Sequence, residues 1–185
     1  METLTENNVH PLGQLDGCSN TRTGIKFNLL TPDPGMISID DIASGLAYQS
    51  HFNGQTPHFF SVAQHCLLTL HNYLKCTARQ DDKLALVLLL HDAAEAYIGD
   101  LIKPIKIFLP FFNTVEDRIM KAVAIKYQIE PVAFKSPLVK RWDMLAQEQE
   151  FETFYKGSTE FIKEYLQPED ARIEFLATFW DLYTA

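Results

Sequence analysis

The stretch LALVLLLHDAAEAYIGD, Leu84–Asp100, decides how the chain is read. Seven consecutive apolar residues, Leu84–Leu90, mark a helix buried on all sides at the centre of a fold. The run is far short of the roughly 18 residues that cross a bilayer. His91 and Asp92 follow it directly, and a carboxylate in that setting is costly unless paired or metal-bound. The pattern predicts one helix from near Asp81 and Asp82 through to Gly99. On it Glu95, three residues after Asp92 and four after His91, shares their face.

Upstream, Ser61 and Gln64 form an S-x-x-Q capping box before Leu67, Leu70 and Leu74, and place His65 one turn inside a helix. Ser38 is a cap for Ile39, Ile42, Ala43 and Leu46, with Asp40 and Asp41 suited to the first turn. Thr114 with Asp117 predicts a helix that stops before Pro131. Ser136–Pro137 opens another, carrying Asp143 and ending at Gly157. A last helix shows Ile173, Leu176, Phe179 and Leu182 at helical spacing. Thr23–Gly35 reads as an extended stretch or small hairpin closed by prolines. The expected class is therefore all-α, a helical bundle with a short extended N-terminal segment. Residues 1–22 are expected as a polar tail and residues 23–185 as a single domain.

A chain of 185 residues, 46% hydrophobic and 22% charged, fits one globular domain. Sixteen Lys+Arg against 24 Asp+Glu give a net charge of −8, which argues against polymeric nucleic acid as a partner. An anionic small molecule is not excluded, because a metal ion or a few cations can invert the field inside one cleft. The N-terminus lacks a basic start and an apolar run, so neither a signal peptide nor a membrane partner is expected. Cys18, Cys66 and Cys76 are odd in number and show no CxxC spacing, which points to the cytoplasm.

His65, His91, Asp92 and Asp143 supply two imidazoles and two carboxylates. Such a set suits a divalent transition metal ion with open coordination positions; it does not distinguish cobalt, manganese, zinc, nickel or iron. Glu95 is placed to act as general base on a metal-activated water.

These residues occur in the order H…HD…D. With the segments IDDIASGL, HFFSVAQH, HDAAEAYIGDLIKPIK and VKRWDMLAQE, the chain from Thr23 to Glu150 resembles the HD superfamily of metal-dependent phosphohydrolases. The likeness is to the branch of bacterial 5'-deoxynucleotidases and phage dATP triphosphohydrolases. It implies metal ligation by His65, His91, Asp92 and Asp143, and a catalytic role for Glu95 beside Asp92. It also implies a phosphate contact at Lys106, with Lys140 the second candidate. Relatives in this branch carry an arginine before the Phe-x-Gly segment. Here the matching residue is His51, shorter and only partly charged near neutrality, as the candidate contact to phosphate or sugar.

The function implied is hydrolysis of a 2'-deoxynucleotide, with a dNTP cleaved to deoxynucleoside and triphosphate. Release of phosphate from a dNMP uses the same metal and the same attacked atom. A nucleotide-sensing module without turnover is the reading from another class. The resemblance further implies a homo-oligomer, a dimer or hexamer, and the Phe108–Phe112 cluster is either core or a subunit contact.

Overall fold

The computed structural model describes residues 17–77, 81–162 and 164–184. Along the chain these form strands β1 (Cys18–Asn20) and β2 (Lys26–Asn28), then helices α1 (Ile39–Tyr48), α2 (Val62–Cys76), α3 (Asp82–Leu89) and α4 (Glu95–Ile98). Helices α5 (Lys103–Lys106), α6 (Pro110–Lys126), α7 (Pro137–Lys156) and α8 (Pro168–Tyr183) follow. The all-α reading holds: among the described residues the only sheet is the two-stranded antiparallel pair of β1 and β2.

The start signals act as their chemistry requires. Ser61 Oγ accepts from Gln64 N (3.2 Å), Ser136 Oγ from Val139 N (3.3 Å), and Gly157 closes α7 in the left-handed conformation at φ 73°. Only half of the expected capping box forms, because the Gln64 amide turns away to donate to Glu164 O (3.5 Å). Helix α6 begins at Pro110, four residues ahead of Thr114, since proline at the first helical position needs no donor. In α8 the buried stripe is Ala171, Phe175 and Phe179, spaced by four, and Ile173 faces solvent. Residues 1–16 of the expected tail lie outside the described residues. Its last part is strand β1, so the boundary at residue 22 falls inside a hairpin.

The single helix expected from Asp81 to Gly99 is two helices. Helix α3 ends at Leu89, and turns run through Leu90–Ala94 before α4 starts at Glu95. Ala93 N donates to Leu90 O and Glu95 N to Asp92 O, the tighter spacing of a 3₁₀ turn. His91 and Asp92 therefore sit in a helix break. The break frees carbonyls, and His91 Nδ1 donates to one of them, Leu88 O (2.8 Å).

Helix α1 packs against α8 and α4, while α2 packs against α7 and α3. Ile42, Leu46, Leu70, Leu88, Leu89, Leu90, Phe175 and Phe179 form one apolar core between them. Gly45 is required on α1, because a Cβ there would stand 2.6 Å from Ala96 O of α4. The hairpin is anchored by Phe27, whose ring stacks on Tyr97 at 4.0 Å. Tyr97 is thus engaged in packing, as is Phe60, which sits in a smaller cluster with Phe154 and Ile162. Among the described residues no helix is long and apolar enough to cross a membrane.

Candidate metal centre

Three segments bring the four expected ligands together. His65 comes from the first turn of α2, His91 and Asp92 from the break after α3, and Asp143 from the second turn of α7. His65 Nε2 lies 3.7 Å from Asp92 Oδ2 and 3.2 Å from Asp143 Oδ1. His91 Nε2 lies 3.2 Å from Asp92 Oδ2 and 3.8 Å from Asp143 Oδ1. The imidazoles are buried, whereas Asp92 and Asp143 keep about a quarter and a fifth of their side chains exposed, at 26% and 21%.

The residues fit a cation. Both Nε2 atoms are buried and make no hydrogen bond, although such orphans cost about 1–3 kcal/mol each. Their opposite nitrogens are fixed as donors, His65 Nδ1 to Glu150 Oε1 (2.7 Å) and His91 Nδ1 to Leu88 O (2.8 Å). Each Nε2 lone pair is thereby left pointing into the cluster, the arrangement by which outer partners orient metal-binding imidazoles. Separations of 3.2–3.8 Å between donor atoms match bonds of about 2.1 Å to one shared ion. His65, His91 and Asp92 alone already satisfy the distances of a three-ligand group.

Charge without a cation is arranged accordingly. Burial opposes protonation of His65, but the Glu150 carboxylate first, then Asp143 and Asp92, raises its pKa well above 6.5. Burial likewise opposes protonation of His91, overridden chiefly by Asp92. Asp92 is drawn down to about 2 against its own burial, chiefly by His91. Asp143 is held well below the usual carboxylate range, its burial outweighed by the two imidazoles.

Glu95 opens α4, directly after the helix break that carries His91 and Asp92. Its side chain is buried, and its Oε2 has no partner. Burial first, then the charges of Asp92 and Asp100, pushes its pKa up to about 9 against the pull of Lys106. Lys106, from the end of α5, reaches Glu95 Oε1 (3.4 Å) and Glu116 Oε1 (3.0 Å). Beside this group a cleft of about 470 Å³ opens onto His91 and Asp92, walled by Met120, Val132 and Phe134 and lined also by Lys121 and Lys135. Lys140 stands one turn before Asp143, exposed, and is not among the residues lining that cleft.

His51 is in a different place from a cleft contact. It is buried on the Nδ1 side of His65, where its own Nδ1 donates to Asp100 Oδ2 (2.8 Å) and its Nε2 lies 3.4 Å from Glu150 Oε2. Glu150, Asp100, Glu116 and Gln147 were not foreseen from sequence. Gln147 Nε2 donates to Asp143 Oδ1 (2.6 Å) and its own Oε1 accepts from Lys103 Nζ (2.8 Å), so it orients a ligand from one turn along α7. Glu150 had a readable signal: it sits seven residues, two turns, after Asp143 on the same helix face.

Fold and site together define a helical protein with a buried His/Asp/Glu cluster able to hold a metal ion, compatible with an HD-type fold. No family model matches the chain. An uncharacterized protein of Rhodobacter capsulatus is 34% identical over 119 residues, covering 63% of this chain and 60% of that protein. The uncharacterized protein YfdR of Escherichia coli is 38% identical over 96 residues, covering 52% of this chain and 50% of its own length. The chain thus spans between half and 60% of the curated relatives it matches.

Proposed function

We propose that the protein is an HD-type, metal-dependent phosphohydrolase of 2'-deoxynucleotides, cleaving a dNTP to deoxynucleoside and triphosphate. The observation that carries this reading is the convergence of His65, His91, Asp92 and Asp143 on one point, with both imidazole Nε2 atoms orphaned there. A divalent transition metal bound at that point supplies Lewis acidity toward a phosphoryl oxygen and lowers the pKa of water.

The chain's own residues account for the rest. Glu95 is buried with a free Oε2, and its pKa is pushed up to about 9 by burial and the neighbouring carboxylates; a cation held at the centre would lower it and leave the carboxylate able to act as base. Glu95 takes a proton from the attacking water as the new P–O bond forms. The bond from phosphorus to the nucleoside 5'-oxygen breaks, and that oxygen takes up the proton that Glu95 accepted from the water. Lys106 is held by Glu95 and Glu116, and its ammonium would have to leave one of these carboxylates to meet the charge developing on phosphate. The apolar wall of Met120, Val132 and Phe134 suits the uncharged base and sugar of the nucleotide.

The same residues serve release of orthophosphate from a dNMP, and product chain length separates the two. Purified protein loaded with cobalt or manganese is incubated with dNMPs, dNTPs and their ribo counterparts. Triphosphate from a dNTP supports the reading, orthophosphate from a dNMP favours the alternative, and no phosphate species from any deoxynucleotide overturns both. A homo-oligomer belongs to the proposal as well, supported by the contiguous exposure of Ile107, Phe108 and Phe111.

A further inference from the structure

Behind the metal ligands lies a row of buried groups that the hydrolytic reading does not use. Glu150 is fully buried; its Oε1 accepts from His65 Nδ1 (2.7 Å), and its Oε2 has no hydrogen bond. The atom nearest that free oxygen in charge terms is His51 Nε2, 3.4 Å away and equally without a hydrogen bond. The far side of the same ring is pinned, since His51 Nδ1 donates to Asp100 Oδ2 (2.8 Å). The backbone aids this: Phe52 and Asn53 hold φ of 52° and 53°, a conformation that side chains rarely adopt, and Phe52 N donates to the same Asp100 oxygen (3.2 Å).

We propose that His51 and Asp100 are positioning residues of the metal centre. Asp100 orients His51, the ring sets its Nε2 against the second oxygen of Glu150 at 3.4 Å, and Glu150 holds His65 with its proton on Nδ1 and its Nε2 lone pair toward the ion. His51 thereby acts through two other side chains on the metal and has no contact with substrate phosphate. The proposal rests on the reading of His65, His91, Asp92 and Asp143 as metal ligands.

The test is a cobalt(II) titration of the full chain, followed by visible absorption, in variants that separate the two ends of the ring. His51→Gln carries an amide donor far enough out to reach Glu150; His51→Asn replaces only the nitrogen that meets Asp100. The expected result is affinity near wild type for His51→Gln and a loss of about tenfold or more for His51→Asn. In a Glu150→Gln background, His51→Asn is expected to cause no additional loss. Should His51→Asn fail to fold, Asp100→Asn keeps the side-chain shape and is expected to weaken cobalt binding about tenfold. Equal affinity for wild type and these variants, or a loss that is undiminished by Glu150→Gln, overturns this proposal alone. A wild-type chain that binds no cobalt overturns the metal reading itself.

Discussion

Lys106 Nζ stands 3.4 Å from Glu95 Oε1, and this contact opposes the burial and the neighbouring Asp92 and Asp100 charges that push Glu95 up to about 9. Replacing Lys106 by Met removes that opposition, so the Glu95 pKa rises further. With Glu95 as base, the acid limb of the kcat/KM profile shifts to higher pH, and the maximum falls about a hundredfold. A pH-rate profile of Lys106→Met against wild type checks both. An unshifted limb contradicts the assignment of Glu95 as base.

Glu95→Gln separates chemistry from metal binding. Glu95 shares no short contact with His65 or His91, so the variant is expected to keep wild-type metal content. Its kcat is expected to fall by about 10²–10⁴, the usual worth of a proton-transferring side chain. Metal analysis beside steady-state rates decides the matter.

The metal-free protein is expected to lose stability as pH rises above about 4.5. Glu95 has a folded pKa of about 9 against an ordinary 4.5, so folding binds a proton across that window. His51, His65 and His91 are also raised, and their contribution is full below 6.5 and lost as pH climbs through the folded values. Asp92, Asp143 and Glu150 are lowered, so theirs is present above their ordinary values and lost as pH falls. Melting temperature in chelator should therefore peak near pH 4.5 and fall as pH rises through the Glu95 and histidine windows. Added metal needs neutral imidazoles, so its stabilising increment should grow with pH, the opposite slope.

Gly45→Ala probes the packing that seats α4. The added Cβ meets Ala96 O at 2.6 Å and Ala96 Cα at 2.7 Å, both on the helix that begins at Glu95. A loss of about 1–3 kcal/mol in denaturant titration is expected, with a drop in activity beyond what stability explains. Full activity at reduced stability contradicts the link between this contact and Glu95.

The exposed segment after α5 carries Phe108 at 81% and Phe111 at 63% exposure. Paired Phe108→Ser and Phe111→Ser substitutions are expected to reduce a dimer or hexamer to monomer in light scattering. An unchanged mass, or a monomeric wild type, removes this segment as the contact.

Much of this was legible from residues alone. Ser61, Ser136–Pro137 and Gly157 set helix ends by local hydrogen bonding, which needs no tertiary context. The four expected ligands also meet, because their value lay in the set rather than in any one of them. The break between α3 and α4 was hidden, since LALVLLLHDAAEAYI contains neither proline nor glycine before Gly99, and tertiary demands at His91 override propensity. Ile173 misled because one residue on a mixed face leaves the period ambiguous between 173/176 and 171/175/179. His51 and Glu150 come from segments 99 residues apart, and only folding shows that an imidazole expected at the substrate meets a carboxylate on α7.

The most direct test of the account is a crystal of the cobalt- or manganese-loaded protein measured at the metal absorption edge. One anomalous peak within bonding distance of His65 Nε2, His91 Nε2, Asp92 and Asp143 is the predicted result. A loaded crystal with no peak among those four side chains, or a peak held elsewhere in the chain, contradicts it.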